Sequence, residues 1–254
     1  MWRAIYPEAY ILKTIFSVLS KIVDDVLIEV SEEALVLRRI DNARAAYVQV
    51  DFPVSEFNIW QFEANYTVGA STSMLMKVFK NAKRYDYVEL MIDNDELSIA
   101  LYNPQYRTDA RRFVIKLFNA DETFQIKELS NDVRVDFAPP RLYIDIIKGA
   151  NSIGAEKLKI IANAEARTIR FLAQTEEGEK YEYLLDLEKS WYVTLYEIRN
   201  DAESEYSLEY LNKVTNIAKI AKAATIEFSK KMPLILNFMI SQIRFQYVVA
   251  PRLL

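Results

Sequence analysis

The chain has 254 residues, 51% of them apolar and 27% charged, enough for one large core or two ordinary ones in a globular protein of net charge −4. It has no cysteine and no histidine, which excludes disulfides and thiol chemistry and removes the commonest general base and metal ligand together. With only 4 glycines, turns needing positive φ are expected to be few and glycine-rich functional loops are excluded.

The opening MWRAIYPEAY lacks a signal-peptide layout and no apolar run reaches the ~20 residues of a membrane span, so an intracellular protein is expected. Pro7 opens a helix over 7–22, with Ile11, Ile15, Val18, Leu19 and Ile22 on one stripe; proline suits a helix start because its missing N–H is unpaired there anyway. Strands follow at Val26–Val30 and Ala34–Leu37. A second helix is expected over 71–84, then strands at Tyr87–Ile92, Leu97–Leu101 and Arg107–Leu117. The stretch FNADETFQIKELSN, 118–131, is polar and acidic apart from Phe124, Ile126 and Leu129, and reads as an exposed connector. Pro139 and Pro140 open a third helix to residue 153 with Leu142, Ile146, Ile147 and Ala150 inward. It precedes strands Lys157–Ile161 and Thr168–Ala173 and a hairpin around Gly178. A fourth helix, 207–222, leads to strands Thr225–Ser229, Leu234–Met239 and Ile243–Val249.

The chain reads twice. Leu75, Lys77, Val78, Ala82 and Lys83 recur, at an offset of 136, as Leu211, Lys213, Val214, Ala218 and Lys219, and matched strands follow both copies. The expected organisation is an N-terminal domain 1–117, a connector 118–131 and a C-terminal domain 132–254. The class is α+β, with helices grouped on one face of mainly antiparallel sheet.

Charge is distributed unevenly. The four expected helices hold Lys13, Lys21, Lys77, Lys80, Lys83, Arg84, Arg141, Lys148, Lys213, Lys219 and Lys222 against Glu8, Asp145 and Glu209, so they carry +8 and the remainder −12. Lys77, Lys80 and Arg84 share a helical face by spacing, as do Arg141 and Lys148. Point charges of this kind contact phosphates without reading sequence. Two edges are also opposite in sign: Arg107, Arg111, Arg112 and Lys116 before the connector, and Glu176, Glu177, Glu179, Glu182 and Asp186 around Gly178. Such unlike edges suit a head-to-tail contact between subunits.

Chemistry finds little support. Asp93–Glu96 and Asp201–Glu205 are carboxylate clusters between apolar strands and read as hairpin turns rather than metal sites; no phosphate-binding glycine motif occurs. No cofactor, metal or catalytic residue is expected. The enzyme alternative is a carboxylate-dependent hydrolase, to be recognised by two carboxylates about 5–10 Å apart in a cleft.

The duplicated unit, the acidic connector, the ending Tyr247–Leu253, the segment Tyr206–Ser229 with Met232–Leu236, and Leu35–Asp41 resemble the proliferating cell nuclear antigen family of DNA sliding clamps over nearly the whole chain. That resemblance implies a two-domain clamp fold with sheets outside and four helices on the inner face of a trimeric ring around duplex DNA. The implied partners are sister subunits (identical or not), DNA polymerase, ligase, flap endonuclease and a clamp loader, with no membrane. It implies a partner-peptide pocket at Ile40, Arg44, Ala45, Phe124, Ile126, Pro233, Tyr247, Val249, Ala250, Pro251, Arg252 and Leu253. The chain departs from the family in lacking glycine in Met239–Ile243, in carrying Lys127, and in placing Asp145 within a basic stripe. Those departures suit a specialised subunit of a hetero-trimer. An ending without an acidic tail looks archaeal, implying a cytoplasmic, chromosome-associated protein; a eukaryotic one would be nuclear. A checkpoint-type clamp or non-replicative scaffold of the same fold is the alternative.

Overall fold

The structure is a computed structural model and describes residues 1–106, 109–119 and 130–252. The chain divides into two compact units, Met1–Asn42 with Val48–Gln125 and Gln242–Arg244, and Ala43–Tyr47 with Ile126–Ser241 and Phe245–Leu254.

Unit 1 runs β1 (Trp2–Tyr6), α1 (Ala9–Ile22), β2 (Asp25–Val30), β3 (Ala34–Ile40), β4 (Ala46–Pro53), β5 (Ile59–Phe62), β6 (Tyr66–Ser71), α2 (Thr72–Phe79), β7 (Tyr87–Asp93), β8 (Glu96–Tyr102) and β9 (Arg111–Lys116). Unit 2 repeats this order as β10 (Val133–Phe137), α3 (Arg141–Ser152), β11 (Lys157–Asn163), β12 (Thr168–Gln174), β13 (Lys180–Asp186), β14 (Val193–Ile198), β15 (Ala202–Ser207), α4 (Leu208–Lys213), α5 (Thr215–Ile220), β16 (Ala223–Phe228), β17 (Leu234–Ile240) and β18 (Ile243–Val249). Sheet order repeats as well. Strands β5-β1-β7-β8-β9 correspond to β14-β10-β16-β17-β18, and β6-β2-β3-β4 to β15-β11-β12-β13. Among the described residues these neighbouring strands pair antiparallel.

The helices form because their apolar positions fall on one side. In α1, Leu12, Ile15, Phe16, Val18, Leu19 and Ile22 are buried while Tyr10 and Lys21 face solvent. Ile11, expected in the inward stripe, is only half-buried. Phe16 stacks on Phe79 of α2 at 4.7 Å between ring centroids, and Trp2, Leu12, Phe52, Leu75 and Leu90 share the core beneath. In unit 2, Leu142, Ile146, Ile147 and Ala150 are buried as the periodicity requires. The Tyr143 hydroxyl donates to the Leu211 carbonyl at 2.5 Å, tying α3 to α4. Ser71 and Ser207 precede α2 and α4 with near-identical backbone angles, so the repeat seen in sequence is a repeat of local conformation.

Several elements differ from expectation. Residues 80–84 are not helix: α2 stops at Phe79, because the Asn81 side-chain amide takes the carbonyls of Lys77 and Val78. The Lys13 ammonium and the Arg111 guanidinium take the following ones. The fourth helix is broken at Val214 (φ −98°, ψ 5°) into α4 and α5. Asp201–Glu205 is mostly strand β15 rather than a turn, and Glu203 and Glu205 face Lys159 and Lys157 across β11. Asp93–Glu96 is the turn expected, with Asn94 at φ 52°. Positive-φ turns are not few. Arg44, Asn94, Arg167, Lys231 and Ser241 adopt them without glycine, Ser241 carrying the glycine-free hairpin before β18.

Candidate functional site

Three surfaces emerge, the first two with residues in both units and the third within unit 2. The first is the set of basic side chains on the helices of each unit and on the turns that follow α2 and α5. Lys21, Lys77, Lys80, Lys83, Lys148 and Lys222 are exposed and make no ion pair among the described residues. The other expected members of the set are engaged. Lys13 donates to the carbonyls of Lys80 (3.1 Å) and Ala82 (3.3 Å). Arg141 reaches Asp145 at 3.4 Å, so that stripe is partly neutralised one turn along α3. Lys213 lies 4.2 Å from the Tyr210 ring centroid and 4.0 Å from Glu209. Lys219 bonds Asn216. Arg84, beyond the end of α2, does not share the face of Lys77; its guanidinium stands 5.8 Å from the Tyr85 ring centroid instead.

The second is a pair of sheet edges. β9 and β13 end their sheets in unit 1 and unit 2, and each shows an exposed aliphatic residue among charges: Val114, 58% exposed, and Leu184, 60% exposed. Arg112 is exposed and without an ion-pair partner among the described residues. Arg111 is not available to a neighbour in the same way. Its guanidinium is paired with Asp86, a carboxylate only 4% exposed that also accepts from the Lys83 N–H at 2.7 Å. Lys116 sits 2.8 Å from Glu96 and 3.6 Å from Asp95, and the Glu96 carboxylate holds its ammonium above the usual range. On the other edge Glu176, Glu177, Glu179 and Glu182 are exposed. The Thr175 hydroxyl keeps the Glu179 carboxyl below its ordinary range, and Glu182 lies 4.0 Å from Arg170. Arg107 lies outside the described residues.

The third is an open groove of about 650 Å³ in unit 2, within the usual range for ligand sites. Ala45, Val249, Ala250, Pro251 and Arg252 line it, as the resemblance implies, joined by Asn151, Ala155, Glu156 and Ser207–Tyr210. Backbone bonds hold these segments together: Ala250 N–H to the Ala45 carbonyl, Arg252 N–H to that of Glu205, and Leu208 N–H to that of Glu156, at 2.8, 2.8 and 2.9 Å. Tyr247 does not line it. Its ring is fully buried in the core and its hydroxyl donates to the carbonyl of Tyr210, itself a lining residue. Ile40, Arg44 and Pro233 are not among the lining residues either, and Arg44 is exposed at φ 54°. Phe124, Ile126 and Leu253 lie outside the described residues. The contributions of 151–156 and 207–210 carry no sequence signal, since they are drawn from a helix end and a strand–helix junction brought together only by folding.

Among the described residues no cluster of acidic side chains is arranged to hold a metal ion, and no helix is long and apolar enough to cross a membrane.

Comparison with known proteins identifies this architecture. Models of the proliferating cell nuclear antigen N-terminal and C-terminal domains match residues 1–125 and 145–253. The DNA polymerase sliding clamp of Methanothermobacter thermautotrophicus is 28% identical over 258 residues, covering 100% of this chain and 98% of that one. That of Cenarchaeum symbiosum is 23% identical over 245 residues, 95% and 94% of the two chains. The crystal structure of PCNA from Thermococcus kodakaraensis superposes with a TM-score of 0.88 at 20% identity, over 99% of this chain and 100% of that one. A chain of the PCNA2–PCNA3 complex of Sulfolobus tokodaii gives 0.87 at 22%, over 98% and 99%. With both domain models matched in order along a duplicated clamp fold, the chain belongs to the proliferating cell nuclear antigen family of DNA sliding clamps.

Proposed function

We propose that the chain is one subunit of a trimeric sliding clamp that encircles duplex DNA and tethers polymerase, ligase and flap endonuclease there, after loading by a clamp loader. It performs no chemistry of its own and works by topology: a partner linked to a ring on DNA has a high effective concentration at its substrate. The observation that carries the reading is the duplicated element order, in which the helices and the turns after them bear exposed, unpaired lysines against an acidic remainder. Lys21, Lys77, Lys80, Lys83, Lys148 and Lys222 supply non-specific phosphate contacts, which leave the ring mobile along DNA. Residues 1–117 and 132–254 act as the two clamp domains and 118–131 as their connector. β9 and β13 are the subunit edges: opposite charge and one exposed aliphatic residue on each favour a heterologous, ring-closing contact. The groove at Ala45 and Val249–Arg252, with Phe124, Ile126 and Leu253, takes the short apolar-aromatic motif of client enzymes, and the protein acts on the chromosome inside the cell.

Light scattering at micromolar concentration tests assembly. A mass of three 29.6 kDa chains supports self-closure. A monomer or dimer that becomes a ring only with sister chains makes it a hetero-trimer subunit. Retention on circular but not linear duplex tests encirclement, and equal retention on both refutes it.

A further inference from the structure

We infer that a tyrosine-lined groove at the start of α1 binds unpaired bases of single-stranded DNA. This rests on the DNA-binding reading above and extends it to a second form of the nucleic acid. The groove lies wholly in unit 1, has a volume of about 1080 Å³, and is walled by Pro7, Tyr10, Arg84, Tyr85, Tyr87 and Pro104. Tyr85 is 71% exposed and Tyr10 50% exposed, so these rings contribute little to the core and are open to solvent. Groups of exposed aromatic rings beside cations are the recurrent platform for unpaired bases, because every base offers a π-face whatever its identity. The cations are present. The Arg84 guanidinium stands 5.8 Å from the Tyr85 ring centroid, and Lys83 precedes it in the chain. Lys13 reaches the carbonyls of Lys80 and Ala82, which places its ammonium beside the same turn. Glu8 and Arg84 are the charged lining residues and balance one another, so the groove itself is neutral and offers stacking faces, while Lys83 and Lys13 stand outside its lining. The early end of α2 gives this its meaning: Arg84 leaves the helical stripe and becomes part of the groove wall. A paired base has both faces covered by its neighbours in the stack, so the site selects unpaired strand such as a template leaving a primer junction.

The test uses the full chain and fluorescence anisotropy with a labelled oligo-dT of about 20 nucleotides, run beside a duplex of equal length at low salt. Tyr10→Ala with Tyr85→Ala should lower oligo-dT affinity by roughly tenfold or more, leave duplex affinity essentially unchanged, and preserve the melting transition, since both side chains are exposed. Tyr85→Trp should retain oligo-dT binding. Unchanged oligo-dT affinity in the double variant overturns the proposal. So does a wild-type chain that binds duplex but not oligo-dT, or one whose groove is instead occupied by a proline-rich peptide that displaces no DNA. A wild-type chain that binds neither oligonucleotide overturns the groove, whereas failure of retention on circular duplex overturns the DNA reading itself, so the two failures are distinct.

Discussion

Gly149, in the third turn of α3, has its Cα against the ring of Tyr181 on β13. A Cβ placed on it would lie 2.2 Å from Cε2, 2.3 Å from Cζ and 2.6 Å from the hydroxyl of that ring, far inside van der Waals contact. In an open helix, Gly→Ala stabilises by about 0.8–1.0 kcal/mol. Here the methyl group must displace a half-buried ring, and overpacking of this kind costs about 1–3 kcal/mol. Gly149→Ala is therefore expected to be destabilising by up to about 2 kcal/mol, or up to about 8 °C at roughly 2–4 °C per kcal/mol for a chain of this size. In a Tyr181→Ala background the same substitution should instead stabilise by about 1 kcal/mol. The assay is a double-mutant cycle in urea, followed by circular dichroism. Because β13 is a proposed subunit edge, Gly149→Ala should also weaken trimer formation in light scattering. An equal effect of Gly149→Ala in both backgrounds would refute the reasoning, since the ring would then not be what makes glycine necessary.

Arg111→Ala should cost about 3 kcal/mol by leaving the Asp86 carboxylate buried and without its guanidinium, and Asp86→Asn should recover much of it in chemical unfolding. A change confined to assembly, with stability untouched, would return Arg111 to the interface. Arg112→Glu should weaken trimer formation and Glu182→Arg partly restore it, read by sedimentation; no restoration counts against those edges facing one another. Lys77→Glu with Lys148→Glu should weaken duplex binding and flatten the plot of log K against log salt by about 2, at roughly 0.9 for each phosphate that is no longer neutralised. An unchanged slope removes both residues from the DNA surface. Burial pushes the Tyr206 phenol from 10.0 up to about 12, and burial also raises Tyr6 and Tyr143. The unfolded chain ionises first, so this contribution is full below pH 10 and is lost as pH rises towards 12. Urea midpoints should fall across that window, and less steeply in Tyr206→Phe; identical profiles would remove Tyr206 from the effect.

Much of the fold is written in short-range pattern. The stripes of α1 and α3, the strand pairs after each helix, and the recurrence of Leu75, Val78 and Ala82 as Leu211, Val214 and Ala218 require only local periodicity, and all six of those recurring positions are buried. Where side chains from elsewhere intervene, pattern misleads. Lys77, Lys80 and Arg84 have helical spacing, yet Lys13 and Arg111, distant in the chain, help end the helix before Arg84. Asp201–Glu205 has turn composition, yet pairing with β11 supplies lysines opposite its carboxylates and makes it strand.

By itself, then, the sequence determined the duplicated α+β plan, the clustering of lysine in and just after the helical segments and the absence of histidine and cysteine, because composition and periodicity are properties of neighbouring residues. Tertiary structure alone decided which of those cations are spent inside the subunit and which remain exposed. It also decided that Tyr247 is core, and that Ala45, Glu156, Tyr210 and Ala250 share one groove. Those outcomes depend on which carbonyls and carboxylates arrive from remote strands to satisfy a buried or half-buried charge, and no spacing along the chain encodes that meeting.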